Sequence, residues 1–546
     1  MLSPGQTRQQ PGNACDECRK KKQRCDRQRP RCSSCVKTKA VCHFNEKRAS
    51  PKAPNKSAPK TLDTNPGHIG RSLQPAIAIT LTQDSHDAMS WVDAGELRDC
   101  SSSALWQSSN TEYEPPSSQE PNPDRETEEL HLSDVTKADL IQLYLDRVHP
   151  MLPILSSARV VQSRQDTGSL DLYGCCLQHA MWTIATAFSS QFENIRDRLY
   201  ATTRNMLDKL DLVEPYLDTR RVEPTQAWIL VVFYELMKAN YHCAWLSAGR
   251  VFRHVQMAEL YSVDRAMKPC TAGIETDPII AEEKRRCFWL AYCLDRIISV
   301  LETTPLTLGE EVIYTRLSCP DSEFHSGIIT PQPLLSEVMA SGEPRRYSNI
   351  AECVICATIY GRALLHQQTS IVEKAYSSPP NDYLERRQWI EGLLRARIQA
   401  LRISRPHNLI DRDPLAAFTA TLTYSAVLYL WHIADLLLDK DGDQSLLLPL
   451  SARGLEAAQD LSQLAKDFEL HGLFKAHILL PVPLFFGAYR IRSYLEMERF
   501  NLGYNEKAQL EKLVQDCLEV LQKLQTVNNL ASRVLFQYYT RRFQPL

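Results

Sequence analysis

Six cysteines near the N-terminus have the residue type and the spacing of a metal site. They follow the pattern C-x2-C-x6-C twice, and they are Cys15, Cys18, Cys25, Cys32, Cys35 and Cys42. Thiolates are good zinc ligands, and a tetrahedral zinc ion takes four of them. One zinc ion would leave two thiolates unused, whereas two ions that share two bridging thiolates use all six. The spacing therefore predicts a cluster of two Zn²⁺ ions and six cysteines.

A basic segment lies between the second and third of these cysteines. Its cations are Arg19, Lys20, Lys21, Lys22 and Arg24. A C-x2-C pair opens a short helix, so metal on both sides would hold this segment as a helix with exposed cations. The whole chain has a net charge of only −2, so the basic segment contrasts with an acidic remainder. This pattern is typical of a polyanion-binding module and favours DNA, because lysine can donate to guanine while neighbouring cations neutralise phosphates.

The run CDECRKKKQRCDRQRPRCSSCVKTKAVC resembles the Zn2Cys6 binuclear cluster of fungal transcription factors, which places a helix in the major groove. The resemblance implies that Lys21 and Lys22 read a CGG triplet in double-stranded DNA. It also implies that Arg19 and Arg24 lie near phosphates, and Lys20 completes the predicted DNA-binding set. An alternative stays open at this point, namely a zinc cluster that acts through protein–protein contacts without reading DNA.

The zinc cluster is predicted to occupy residues 1–45, and the composition changes after it. Residues 46–135 are rich in proline, serine, lysine and acidic residues, which predicts a flexible and mostly disordered linker. Many proteins with this cluster carry a heptad coiled coil at this point, but no apolar heptad pattern persists over three repeats here. Two options follow: the chain binds DNA as a monomer, or it pairs through its C-terminal region.

From residue 136 onward the apolar pattern is helical, and the low content of 19 glycines agrees with helices. In TKADLIQLYLDRVHPMLPIL, Leu140, Leu143, Tyr144 and Val148 share one face. In EEKRRCFWLAYCLDRIISVL the apolar residues form a broad stripe, and Glu282 and Arg286 are predicted to pair across one turn on the solvent side.

These segments, together with YELMKANYHCAWLSAGRVFRHVQM, resemble the middle homology region of the same fungal regulators. The resemblance implies a helical regulatory domain over residues 136–340. Residues 341–546 are predicted to be a helical extension that packs with it. The predicted fold class is therefore mainly α, with a small N-terminal Zn2Cys6 cluster, a linker and a large all-helical regulatory domain.

Motifs for catalysis are missing from the sequence. It contains no GxxxxGK phosphate loop, no HExxH and no GxSxG, so the chain is predicted not to be an enzyme. Cys353 and Cys356 form a lone C-x2-C pair. Because no second pair is nearby, they are interpreted as core thiols rather than as a metal or redox site.

The function expected from these observations is sequence-specific regulation of RNA polymerase II transcription. The resemblance favours a pathway-specific activator, either of nutrient use or, as the preferred interpretation, of a secondary-metabolite gene cluster. The expected partners are CGG-type DNA and the transcription machinery or co-regulators, and a small-molecule effector of the helical domain stays an open option. No signal sequence or membrane span is expected, and the basic run predicts a nuclear location.

Overall fold

A computed structural model describes part of the predicted zinc segment and most of the C-terminal region. The described residues are 16–21, 25–26, 31–38, 40, 42, 132–163, 171–212, 221–238, 241–265, 277–376, 381–403, 413–437, 448–496 and 504–540. The chain divides into two units, Met1–Gln119 and Glu120–Leu546. Almost all of the predicted linker, residues 46–135, and with it the segment searched for heptads, lies outside the described residues.

The fold is mainly α, as predicted. The first unit contains α1 (Asp16–Lys20) and α2 (Ser33–Lys37). The helices of the second unit are α3 (Asp134–Leu143, continued by a π-turn at Tyr144–Val148), α4 (Ser157–Ser163), α5 (Leu172–Thr186), α6 (Glu193–Leu212), α7 (Glu223–Lys238), α8 (Tyr241–Met257), α9 (Pro278–Glu302), α10 (Asp321–Ser326), α11 (Leu335–Ser341), α12 (Asn349–Ala375), α13 (Asn381–Ile403), α14 (Pro414–Leu437), α15 (Leu448–His471), α16 (Pro481–Glu496), α17 (Tyr504–Leu524) and α18 (Asn529–Thr540). The described residues contain no β-strand, and one isolated antiparallel bridge joins Arg316 to Leu334.

Several helices begin where the sequence supplies an N-cap. The side chains of Ser133, Asp171, Asp277 and Ser348 each accept a backbone N–H from the first turn of α3, α5, α9 and α12, respectively. Helix α9 also has Pro278 in its first turn, where the missing N–H leaves no intrahelical bond unmade. Local sequence therefore fixes where these four helices start.

The second unit has one continuous hydrophobic core, which runs from Leu140 to Tyr538. Helix α7 packs against α5 and α8, and α12 connects α9 to α14. Helix α14 then packs on α15 and α16, and the final helix α18 returns to contact α7. The core thus passes through residue 340, and the predicted domain boundary there stays a prediction. Among the described residues, no helix combines the length and the apolarity that a membrane crossing needs.

The predicted Glu282–Arg286 pair forms, but its predicted position on the solvent side was wrong. Arg286 Nε lies 3.2 Å from Glu282 Oε1, and the two side chains are 0% and 1% exposed. Arg286 also donates to the carbonyls of Pro153 (3.1 Å) and Cys319 (2.9 Å), and Glu282 accepts the backbone N–H of Cys319 (3.0 Å). The segments around Pro153 and Cys319 cover this face of α9, so the ion pair binds backbone groups in the interior.

Gly361 on α12 is expected to be required for close packing against α9. A Cβ at this position would lie 2.7 Å from Cγ of Arg296, which is fully buried and held by its ion pair with Asp295 at 2.8 Å. Because Arg296 cannot move freely, Gly361→Ala should lower the free energy of unfolding by about 1–3 kcal/mol. Urea unfolding of the full chain, followed by far-UV circular dichroism, measures this change.

Gly249 provides the matched control, because it lies inside α8 and a Cβ at this position would meet no neighbouring atom within 4 Å. Gly249→Ala should raise the free energy of unfolding by about 0.5–1 kcal/mol, since alanine is the better helix former. A stabilising effect of both substitutions would contradict the close packing at Gly361.

Candidate zinc centre and DNA-binding helix

Three cysteine sulfurs come together in the first unit. Cys18 Sγ lies 3.5 Å from Cys32 Sγ and 3.9 Å from Cys35 Sγ, and all three residues are buried. Ligands of a tetrahedral zinc ion with Zn–S bonds near 2.3 Å are about 3.8 Å apart. The three thiols therefore fit a zinc ion in both donor type and separation.

Cys32 belongs to two groups of possible ligands. It lies with Cys18 and Cys35 in one group and with Cys25 and Asp26 in the other, and the ligand atoms of each group lie within 4.8 Å of one another. A thiolate that bridges two metal ions must be within reach of both. The sequence requires two bridging thiolates without identifying them, and this geometry selects Cys32 as one of the two.

Backbone and side-chain hydrogen bonds hold the second half of the motif around Cys32. The backbone N–H of Cys32 donates to Cys42 Sγ at 3.3 Å, so the sixth cysteine of the motif contacts the fourth. The Asp26 carboxylate accepts the N–H of Ser33 at 3.0 Å and so caps the start of α2. Arg31 donates to the carbonyl of Ala40 at 2.7 Å. The capping role of Asp26 and the structural role of Arg31 were not foreseen, although an acid seven residues before a Cys-Ser helix start is a usable signal.

Two of the predicted DNA-binding cations are exposed at the end of helix α1. Lys20 and Lys21 are exposed, and Lys21 Nζ lies 2.8 Å from the Glu17 carboxylate one turn earlier. The hydrogen bond to Lys21, followed by its charge, lowers the pKa of Glu17, and the same contact raises the pKa of Lys21. Lys21 is therefore a fully charged side chain at the surface that has an intrahelical partner.

The remaining predicted site residues are described only in part. Arg19 lies within α1, and Cys25 and Cys42 are half-buried. Cys15, Lys22 and Arg24 lie outside the described residues. The structure thus brings together four of the predicted ligands, Cys18, Cys25, Cys32 and Cys35, with Cys42 hydrogen-bonded to this group.

The lone C-x2-C pair in α12 has the surroundings of core thiols. Cys353 and Cys356 are buried, and Cys356 Sγ lies 3.0 Å from the hydroxyl of Thr423. Burial raises the pKa of the Cys356 thiol to about 12, which disfavours the thiolate needed for metal binding or redox chemistry. Among the residues that the structure describes, groups of three possible ligands occur only in the N-terminal motif.

Comparison with known proteins identifies the family in which these features occur. Residues 13–51 match the fungal Zn(2)-Cys(6) binuclear cluster domain, and residues 141–396 match the fungal specific transcription factor domain. The pigment biosynthesis transcriptional activator pigB of Monascus ruber is 33% identical over 97% of this chain and 94% of its own length. The chain belongs to the fungal Zn2Cys6 transcription factors.

Two further relatives are similar to this chain over most of their own length. The citrinin biosynthesis transcriptional activator ctnR of Monascus purpureus is 33% identical over 96% of this chain and 92% of its own length. The azaphilone cluster-specific transcription factor azaR of Aspergillus niger is 35% identical over 86% of this chain and 96% of its own length. No solved structure matches the chain.

Family membership decides the broad function. This Zn2Cys6 protein is a DNA-binding regulator of transcription and not an enzyme. Its six cysteines bind two zinc ions, and the distances from Cys18 Sγ to the Sγ atoms of Cys32 and Cys35 fit the ligands of one such ion. Zinc supplies cross-links that a motif of this size needs in order to fold, because it is too short to bury a core of its own.

Proposed function

We propose that this regulator activates the genes of one secondary-metabolite cluster by binding CGG-type elements through α1 and the residues that follow it. The observation that carries the proposal is the exposure of Lys20 and Lys21 next to Cys18, which belongs to the thiol group. Lys21 and Lys22 would contact guanine, while Arg19, Lys20 and Arg24 would contact phosphates and fix the register. The predicted domain boundaries and the nuclear location belong to the same proposal.

The names of the relatives support the activator role and the kind of target. They are activators of pigment and citrinin biosynthesis and an azaphilone cluster-specific factor, and each resembles this chain over most of its length. These relatives resemble the helical body of this chain over hundreds of residues. The resemblance supports a shared mode of control as well as a shared DNA-binding module. Contact of the helical body with the transcription machinery or co-regulators is part of the proposal.

Overexpression in the native fungus tests the proposal at the level of transcripts. The natural chain should raise the transcripts of one contiguous group of genes, and a nuclear signal should be seen with a fluorescent tag. The double variant Lys21→Ala, Lys22→Ala should accumulate equally and leave those transcripts near their basal level. Equal activation by the double variant would favour the alternative, in which the cluster acts through protein contacts.

A further inference from the structure

A half-open cavity of about 570 Å³ lies between α13, α14 and α15 of the helical body. Its volume lies within the range of about 300–1,000 Å³ that is usual for small-molecule sites. Its apolar lining includes Leu394 and Ile398 from α13, Val427 and Trp431 from α14, and Ala457 from α15. Three different helices thus supply an apolar surface large enough for a ligand of several fused or linked rings.

The rim of the cavity is charged, and most of its charges are paired with one another. Arg402 lies 2.5 Å from Glu456, and Arg453 lies 3.4 Å from Glu391. Arg395 is the exception, because no carboxylate of the described residues forms an ion pair with it, although it lines the same cavity. The lining carries three arginines and three carboxylates and so has no net charge, and Arg395 is the exposed cation that takes no part in these ion pairs.

Trp431 is a buried and fixed part of the cavity wall. Trp431 lines the cavity and is only 3% exposed, and its indole N–H has no acceptor among the described residues. The ring is held between Gly454, where a Cβ would lie 2.6 Å from the indole, and Tyr494, whose ring centroid is 4.2 Å away. The Trp431 ring is therefore a rigid part of the cavity wall.

We propose that this cavity binds a small molecule with an apolar aromatic body and one anionic group. The body occupies the apolar surface formed by Leu394, Ile398 and Val427, and the anion pairs with Arg395. The site lies in the helical body and is independent of the DNA-binding proposal, so binding at this site can be tested without DNA.

The probe is 8-anilinonaphthalene-1-sulfonate, which joins an aromatic body to one sulfonate, and its fluorescence is titrated with the zinc-loaded full chain. Arg395→Gln should weaken sulfonate binding about five- to tenfold. The neutral analogue N-phenyl-1-naphthylamine has the same body without the anion, and its affinity should not change in this variant. The exposed Arg253 on α8 gives the matched control, because Arg253→Gln removes the same charge away from the cavity.

A second variant tests the apolar part of the site. Val427→Trp should fill the cavity and remove binding of both probes, with an unchanged thermal midpoint as the check on folding. Ile398→Trp fills the cavity from α13 instead of α14. This variant replaces Val427→Trp in the test if Val427→Trp does not fold. The proposal is overturned if Arg395→Gln and Arg253→Gln have equal effects, or if a folded cavity-filling variant still binds the neutral probe as the natural chain does.

Discussion

Replacement of Cys32 by serine is expected to remove both zinc ions and to lower the affinity for duplex DNA at least about 100-fold. Cys32 is the ligand common to both groups of donors, so its loss opens both metal sites. A serine hydroxyl stays protonated at neutral pH and does not replace a zinc-bound thiolate. Structural zinc ions contribute on the order of 10 kcal/mol to the folding of small domains, so the basic helix should lose its fixed geometry.

Zinc content by atomic emission and duplex affinity by fluorescence anisotropy measure the effect of Cys32→Ser on the full chain. Cys175→Ser is the matched control, because Cys175 is a half-buried thiol on α5, in the second unit. The control variant should keep two zinc ions and the affinity of the natural chain. A Cys32→Ser protein that still held two zinc ions would show that Cys32 is not a bridging ligand.

The second large effect is expected from Lys21→Ala combined with Lys22→Ala, which should lower the preference for CGG over a scrambled site about tenfold or more. A good side-chain contact to a base edge contributes about 1–3 kcal/mol of discrimination. In the protein without DNA, Lys21 forms an ion pair with Glu17, four residues earlier. The pair is at the surface, and such pairs are weak. Lysine can therefore exchange this partner for guanine without a large opposing cost.

The control for the lysine pair comes from the second half of the motif, where Lys37→Ala and Lys39→Ala remove the same charge. That variant should bind both duplexes more weakly by a similar factor, because it loses only nonspecific attraction to phosphates. The affinities for the CGG duplex and for the scrambled duplex, measured at one salt concentration, give the specificity ratio of each variant. If the two double variants changed this ratio equally, the basic segment at residues 19–24 would not be the reading element.

The cysteine spacing was sufficient to predict the number of zinc ions and the ligand set, because thiolate chemistry permits few alternatives. The repeat treats its two halves alike, however, and so it could not identify the bridging residue. The identity of Cys32 depends on how Cys25 and Asp26 fold back toward it, which is a feature of three-dimensional structure. The Glu17–Lys21 pair was visible at a spacing of one helical turn but was not considered.

In the helical body, periodicity located helices correctly and failed where distant segments cover a polar face. Glu282 and Arg286 were placed in solvent because charged residues on an amphipathic helix usually lie there. The structure buries them under backbone groups near Pro153 and Cys319, which are remote in sequence. The cavity bounded by α13, α14 and α15 was unpredictable for the same reason, since its walls come from three separate helices.

The most direct test of sequence reading by this chain is selection of bound duplexes from a random library, with the zinc-loaded full chain and a chelator-treated control. We predict enrichment of a CGG triplet that disappears in the chelated sample. A single triplet would indicate monomeric binding, and paired triplets at a fixed spacing would indicate pairing through the C-terminal region. No enrichment by protein that holds its two zinc ions would contradict direct DNA reading and leave protein contacts as the role of the cluster.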